Sequence, residues 1–272
     1  MDDNEDLYVR RAGQRGCNFA PVLKIRAFTL IELLVTIGVI GILIALSVPA
    51  LRGIRADSLK TVSLSNVRSI LVLFDMYADR YKGQYPVIWE GTWYQLPCGM
   101  TSSPHRWETV YRWPSVIHEL VDWEHGRAIF LAPRARREST PLGNVTGDSC
   151  GDPTSYDYSQ SFLARPELWA PRTEGNFPTL QQQWLAPTYQ SDVRHPSRKV
   201  ILWDWEMPYL SRPKKMIGID LAEQTAMQFA DGHGEFRAPS AATPPIRSDF
   251  AGAWRPIQRL HNTENGVRGV DF

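Results

Sequence analysis

Glu32 is the one ionisable residue in a run of 24, Phe28 to Leu51 (FTLIELLVTIGVIGILIALSVPAL). A helix of that length, at about 1.5 Å rise per residue, crosses the hydrocarbon core of a bilayer. A carboxylate inside it costs about 3 kcal/mol or more unless it has a partner, so Glu32 calls for a positive charge nearby. Other reactive residue types are present without the spacing that chemistry needs. His118, Glu119, Asp122, Glu124 and His125 form the densest group, but the two histidines are seven residues apart. That is not the His-Glu-x-x-His of a zinc hydrolase, and the group reads as a solvated helix face. His233 reads as a hairpin side chain. Asp148, Asp152 and Asp157 flank Cys150 without EF-hand spacing. Gly-x-Ser-x-Gly, Gly-x-Gly-x-x-Gly and Gly-x-x-x-x-Gly-Lys are absent, so neither a nucleophile elbow nor a phosphate loop is expected. The sequence therefore predicts no catalytic residue, no metal and no cofactor.

The elements that would position Glu32 are legible. The 272 residues carry a net charge of +1 and include ten Trp and 20 Pro. That balance does not point to nucleic acid. Residues 7–27 hold Arg10, Arg11, Arg15, Lys24 and Arg26 and no acid, which places this end on the cytoplasmic side. A secretory signal peptide has a shorter apolar region closed by a small-residue site. This run is longer and shows no Ala-x-Ala before Pro49. A plain membrane anchor stays open as a reading.

The helix is expected to continue over residues 52–82. Val67, Ile70, Phe74, Tyr77 and Tyr81 are spaced 3, 4, 3 and 4, which makes one apolar stripe. Thr61, Ser65, Arg68, Asp75 and Asp79 fall opposite, with Val72 as the exception. Pro49 is expected to kink the helix, and Gly83 to cap its end ahead of Pro86. Beyond it the chain is rich in Trp and Pro. Strand-like runs cover 128–132, 155–163, 199–205 and 225–230, and Ser115 is expected to cap a short helix over 116–121. Asp231-Gly232 predicts a hairpin over 229–236. Residues 133–153 and 238–249 read as surface loops, and 262–272 as a mobile tail. Buried aromatics are the plain reading of the Trp content, with a sugar-binding face as the alternative.

Lys24-Ile25-Arg26-Ala27, then Phe28-Thr29-Leu30-Ile31-Glu32-Leu33-Leu34-Val35, resembles the type IV prepilin signal: basic leader, small residue, aromatic, Thr-Leu-Ile-Glu and a long apolar helix. Ala27 stands where the family usually has Gly. Pro49 is the twenty-second residue from Phe28, where many pilins and pseudopilins carry a kinking proline. Tyr77-Ala78-Asp79-Arg80-Tyr81-Lys82-Gly83-Gln84-Tyr85-Pro86 is similar to the end of the long pseudopilin helix. The Phe229-Ala230-Asp231-Gly232-His233 hairpin also resembles the later parts of such proteins.

The resemblance implies an α+β pilin-like fold, with a long N-terminal helix on a small antiparallel sheet. It implies a leader (1–27), a transmembrane part of the stem (28–51), an amphipathic part (52–82) and a periplasmic domain (83–272). Cleavage would fall between Ala27 and Phe28, with N-methylation of Phe28. Glu32 would then pair with the new Phe28 amine of its own or a neighbouring subunit, lessening the cost of charge in lipid. The partners implied are the prepilin peptidase, other pseudopilin subunits and inner-membrane lipid, in a filament serving secretion. An exported protein of this kind would hold Cys98 and Cys150 either as one disulfide or as two thiols. An exported binder of a surface or glycan ligand, and a membrane-anchored hydrolase, are the competing classes.

Overall fold

The computed structural model describes residues 29–95, 101–135, 154–170, 185–207, 223–246 and 258–272. The chain divides into two compact units, Met1–Ala50 and Leu51–Phe272. One helix, α1 (Leu30–Arg80), supplies the described structure of the first unit and opens the second. Apolar residues from Leu30 to Val48 are all exposed. The helix is continuous through position 49, so Pro49 does not end it; its side chain lies outside the described residues.

Within the second unit α1 buries Val67, Ile70, Leu71, Phe74, Tyr77 and Ala78. Tyr81, expected on this stripe, is 39 % exposed. It stacks on Tyr77 at 4.3 Å between ring centres, because the helix stops at Arg80 and no longer holds the period. Lys82 (φ 56°) and Gly83 (φ 84°) both take left-handed backbone, and the Gly83 N–H donates to the Ala78 carbonyl at 2.7 Å. This six-to-one bond closes the helix as a Schellman-type cap. The first left-handed residue is a lysine, so Gly83 shares the turn rather than making it alone.

Four strands form the main sheet, β3 (Tyr156–Tyr158), β4 (Val200–Asp204), β5 (Thr225–Phe229) and β6 (Gly234–Arg237), following β1 (Tyr94–Gln95) and β2 (Thr101–Ser102), which pair with each other. The four-stranded order is β3-β4-β5-β6, antiparallel throughout. The 199–205 and 225–230 runs and the Asp-Gly hairpin hold. The 155–163 run is a strand only to Tyr158 and then turns into a 3-10 segment, Gln160–Phe162.

The readings around α2 and α3 also change. Residues 128–130, expected as strand, end the helix α3 (Trp123–Phe130), after α2 (Thr109–Val116). The cause is Asp122, whose carboxylate accepts from the His125 N–H at 2.9 Å and starts the helix ahead of the apolar run. Ser115 is not a cap but sits buried in the last turn of α2.

Aromatic edges lock these elements together. Phe74 of α1 meets Trp113 of α2 at 5.3 Å and Tyr158 of β3 at 5.0 Å, and Trp113 meets Phe130 of α3 at 5.1 Å, all edge to face. Each such pair adds about 0.5–1.5 kcal/mol beyond the area buried. Polar bonds fix the register of α1 on the sheet. Ser63 donates to Asp204 Oδ2 at 2.7 Å, and Asn66 Nδ2 to the Tyr156 hydroxyl at 3.1 Å.

The segment expected as a mobile tail is core. His261, Asn262, Thr263 and Asp271 are almost fully buried. Lys199, also fully buried, donates to Thr263 Oγ1 at 2.6 Å and lies 3.2 Å from Asp271 Oδ2. Asp271 also accepts the Val200 N–H at 2.8 Å. The polar composition of 262–272 hid this, because the residues satisfy buried polar groups at the start of β4 as well as adding to the apolar core.

Burial pushes the hydroxyls of Tyr85, Tyr156 and Tyr158 far above their ordinary value of 10.0. A folded value above the unfolded one means stability is intact below pH 10.0 and falls as pH rises past it. The denaturation midpoint should therefore drop steeply above pH 10.0. Tyr158→Phe should soften that drop and raise stability at neutral pH by about 1 kcal/mol. The Tyr158 hydroxyl is buried without a hydrogen-bond partner among the described residues. A steeper alkaline loss in that variant would contradict the account.

Candidate functional site

The start of α1 is built by two side chains that face each other. The Thr29 N–H and hydroxyl both donate to Glu32 Oε2, at 2.9 and 2.8 Å. The Glu32 N–H points back to Thr29 Oγ1 at 3.3 Å. This is a reciprocal capping box, Thr at the cap and Glu three residues on, satisfying donors that a helix start leaves open. The carboxylate also lies at the positive end of the helix dipole. Both bonds from Thr29 use Oε2, one of two carboxylate oxygens. Further along, the Thr36 and Ser47 hydroxyls donate to the Leu33 and Leu43 carbonyls, which hides their polarity within the helix. α1 is long and apolar enough to cross a membrane.

Elsewhere among the described residues the reactive side chains make structural contacts, and Asp148 and Asp152 lie outside those residues. Asp157 and His261 lie 3.5 Å apart, and His261 Nδ1 accepts from the Gln160 N–H at 3.2 Å. Ser159 and Ser161 share a hydrogen bond of 2.6 Å beside them. The set contains the residue types of a hydrolytic triad, yet every member is buried to 1 % exposure or less. Substrate has no route to it, and the imidazole is fixed by a backbone donor. His125 is bound to its own N-cap, Asp122, whose carboxyl is held below the usual range by that hydrogen bonding. His233 stacks on Phe229 at 4.2 Å beside Asp231, as a hairpin side chain. Glu119 pairs with Arg80 at 3.1 Å. Among the described residues no three His, Cys, Asp or Glu side chains come together as metal ligands.

A family described as "Prokaryotic N-terminal methylation motif" matches residues 23–48. The chain carries a prepilin-type methylation motif. No curated protein and no solved structure matches the chain. The prepilin-type match spans the basic residues Lys24 and Arg26, the Ala27–Phe28 step, Glu32 and the apolar helix. It implies a pilin-like subunit that is processed by a prepilin peptidase and anchored in a membrane. Ala27 and Phe28 lie outside the described residues, as do Cys98 and Cys150.

Thr29 is the residue of this candidate site whose part the sequence analysis does not give. The signal was there: Thr-x-x-Glu before an apolar run is a capping box in any sequence. Read only as part of a prepilin-type motif, Thr29-Leu30-Ile31-Glu32 drew attention to the charge of Glu32 and away from its geometry.

Proposed function

We propose that this protein is a pseudopilin-like subunit, cut between Ala27 and Phe28, N-methylated on Phe28 and assembled into a filament that serves protein secretion. The supporting observation is a single one: the methylation motif sits at the head of a helix whose apolar residues are exposed throughout Leu30–Val48. Exposed apolar surface of that length is stable in lipid or against other stems, and not in water. Glu32 would keep its Thr29 bonds through Oε2 and take the Phe28 amine of the same or an adjacent subunit through the rest of its carboxylate. Assembly would then move the stem from lipid into a bundle. The protein would make and break no bond itself and would need no cofactor. Its soluble domain would face the periplasm.

Intact mass and N-terminal sequencing of protein from membranes of a host with prepilin peptidase test this. The expected start is methylated Phe28, and Ala27→Leu should leave the uncut chain in at least tenfold excess, as a loss of about 1.4 kcal/mol at the cleavage step would give. A start at Met1 in the unaltered chain would leave only an anchor, and a start beyond Pro49 a secreted domain.

A second reading, an exported binder of a glycan or other surface ligand, has one observation in its favour. Beyond Arg80, the large apolar side chains exposed among the described residues are all aromatic: Tyr81, Trp89, Trp93 and Tyr189. Arg106 lies over the Trp89 ring at 5.1 Å, and Trp93 is 71 % exposed. Aromatic planes with polar neighbours suit sugar rings. Saturable binding by the monomer, lost in Trp93→Ala, would favour this reading over the filament.

A further inference from the structure

A turn just before β1 holds two indoles at the surface of the second unit. The Thr92 N–H donates to the Trp89 carbonyl at 3.1 Å, and Gly91 between them takes the positive φ of 78° that glycine adopts freely. The Trp89 N–H donates to the Tyr94 hydroxyl at 2.9 Å. One residue earlier, the Ile88 N–H donates to Thr109 Oγ1 at 3.0 Å, and that hydroxyl donates to the Arg106 carbonyl at 2.6 Å. The segment is thus tied to Arg106 through one side chain, and the Arg106 guanidinium lies over the Trp89 ring at 5.1 Å. Trp89 is 41 % exposed and Trp93 71 %, whereas Arg106 is only 4 % exposed. Buried charges are as a rule paired. Among the described residues no carboxylate forms an ion pair with Arg106. Its Nη1 donates to the Leu163 carbonyl at 3.4 Å, and its Nε is buried with no hydrogen-bond partner among the described residues. Glu90 and Tyr94 act on it only through space.

We infer that Trp89, Trp93 and Arg106 form a binding subsite for an anionic sugar, whose ring lies on an indole and whose carboxylate or sulfate is drawn by the guanidinium. The inference rests on the exported-binder reading and names the class of its ligand. Charge complementarity chooses the occupant. Arg106 keeps its positive charge at any physiological pH. An anion arriving at the indole supplies the counter-charge that the fold omits, and so close to a buried cation the attraction is stronger than in water. The flat indole faces suit the C–H side of a sugar ring. Lipid and an apolar protein face are the wrong occupants, because Glu90, Gly91, Thr92 and Gln95 are all exposed beside the two rings. A neutral sugar would use the indoles and leave the charge of Arg106 unanswered. The subsite is also rigid, since hydrogen bonds fix the backbone at Trp89 and the cation sits over its ring before any ligand arrives, so little ordering remains to oppose binding.

Titration calorimetry on the full-length chain in detergent micelles tests it. The probes are tetragalacturonate and its neutral methyl ester, and a galactan tetrasaccharide with and without sulfate. At least one acidic probe should bind about tenfold or more tightly than its neutral counterpart. A preference confined to the uronate or to the sulfate identifies the anionic group. Arg106→Met should remove the preference and leave the neutral probe within about twofold of its affinity for the parent. Trp93→Ala, at an exposed position, should cost acidic and neutral probes alike about tenfold or more. Unchanged near-UV and far-UV spectra verify the fold of each variant. If Arg106→Met does not fold, the acid-against-neutral comparison on the unaltered chain, with its loss in Trp93→Ala, decides alone. Equal binding of acidic and neutral probes, or an acid preference that survives Arg106→Met, would overturn the inference and keep the binder. Binding of none of the probes would sink both and leave the filament reading standing.

Discussion

Glu32→Ala is expected to insert and to be cut like the parent, yet to be lost from filaments. Two things go at once. The capping box disappears, which costs about 1 kcal/mol at the start of α1. The negative partner for a Phe28 amine disappears too, leaving a positive charge at the membrane that costs about 3 kcal/mol or more. Incorporation should fall by at least about a hundredfold, since each 1.4 kcal/mol is a factor of ten. Thr29 separates the two contributions, because its hydroxyl and N–H hold Glu32 Oε2. Glu32→Gln keeps a side chain that can close the box and removes only the charge. Thr29→Val keeps the charge and removes the hydroxyl. Sedimentation of sheared filaments, with membrane-bound mature protein as the reference, reads all three. If charge pairing drives assembly, Glu32→Gln fails and Thr29→Val assembles. If capping drives it, the order reverses. Normal assembly of Glu32→Ala would remove the role altogether.

Asp271→Ala should be among the most destabilising single changes in the second unit. It strips the partner from Lys199, which is wholly buried, and orphans the Val200 N–H. Breaking one side of a buried pair costs about 3–5 kcal/mol, a large share of the roughly 5–15 kcal/mol that holds a domain. Midpoint temperature should fall by roughly 6–20 °C. The double change Lys199→Met with Asp271→Leu should recover most of the loss, because no charge is then stranded. The pH dependence has a definite sign. Burial holds the Lys199 ammonium below its ordinary value of 10.5, and Asp271 opposes that shift. Removing Asp271 lowers it further. A lysine with a folded value below the unfolded one gives stability that rises with pH between the two. The deficit of Asp271→Ala should therefore shrink as pH is raised towards 10.5. Denaturant titrations at neutral and alkaline pH measure it, and a deficit that is flat or growing over that range would refute the pairing.

What the sequence reveals depends on how local the cause is. The stripe from Val67 to Tyr77 is written in the spacing of one helix, and the structure buries those residues. The β5–β6 hairpin is written in two residues, Asp231 and Gly232, and Gly232 has the positive φ of 97° that such a turn uses. α3 was also local, carried by Asp122, but the aliphatic run after it reads as strand unless the cap is given priority. The packing of 258–272 could not be read, because Lys199 and Asp271 are 72 residues apart and look like ordinary surface charges in a list. The same holds for Ser63 and Asp204, which meet across 141 residues. At the candidate site the balance is reversed. The prepilin-type signal was plain in the residues, whereas the Thr29–Glu32 geometry was concealed by how familiar that signal looks.

The Lys199 pair also makes the sheet depend on a segment well outside it. β3, β4, β5 and β6 are all present once residue 237 has been synthesised. At that moment the ammonium in the middle of the sheet region still lacks both Thr263 and Asp271. A sheet closed without that segment would strand the charge. Residues 263–271 thus complete the charge balance beside β4, and the sheet is whole only with them.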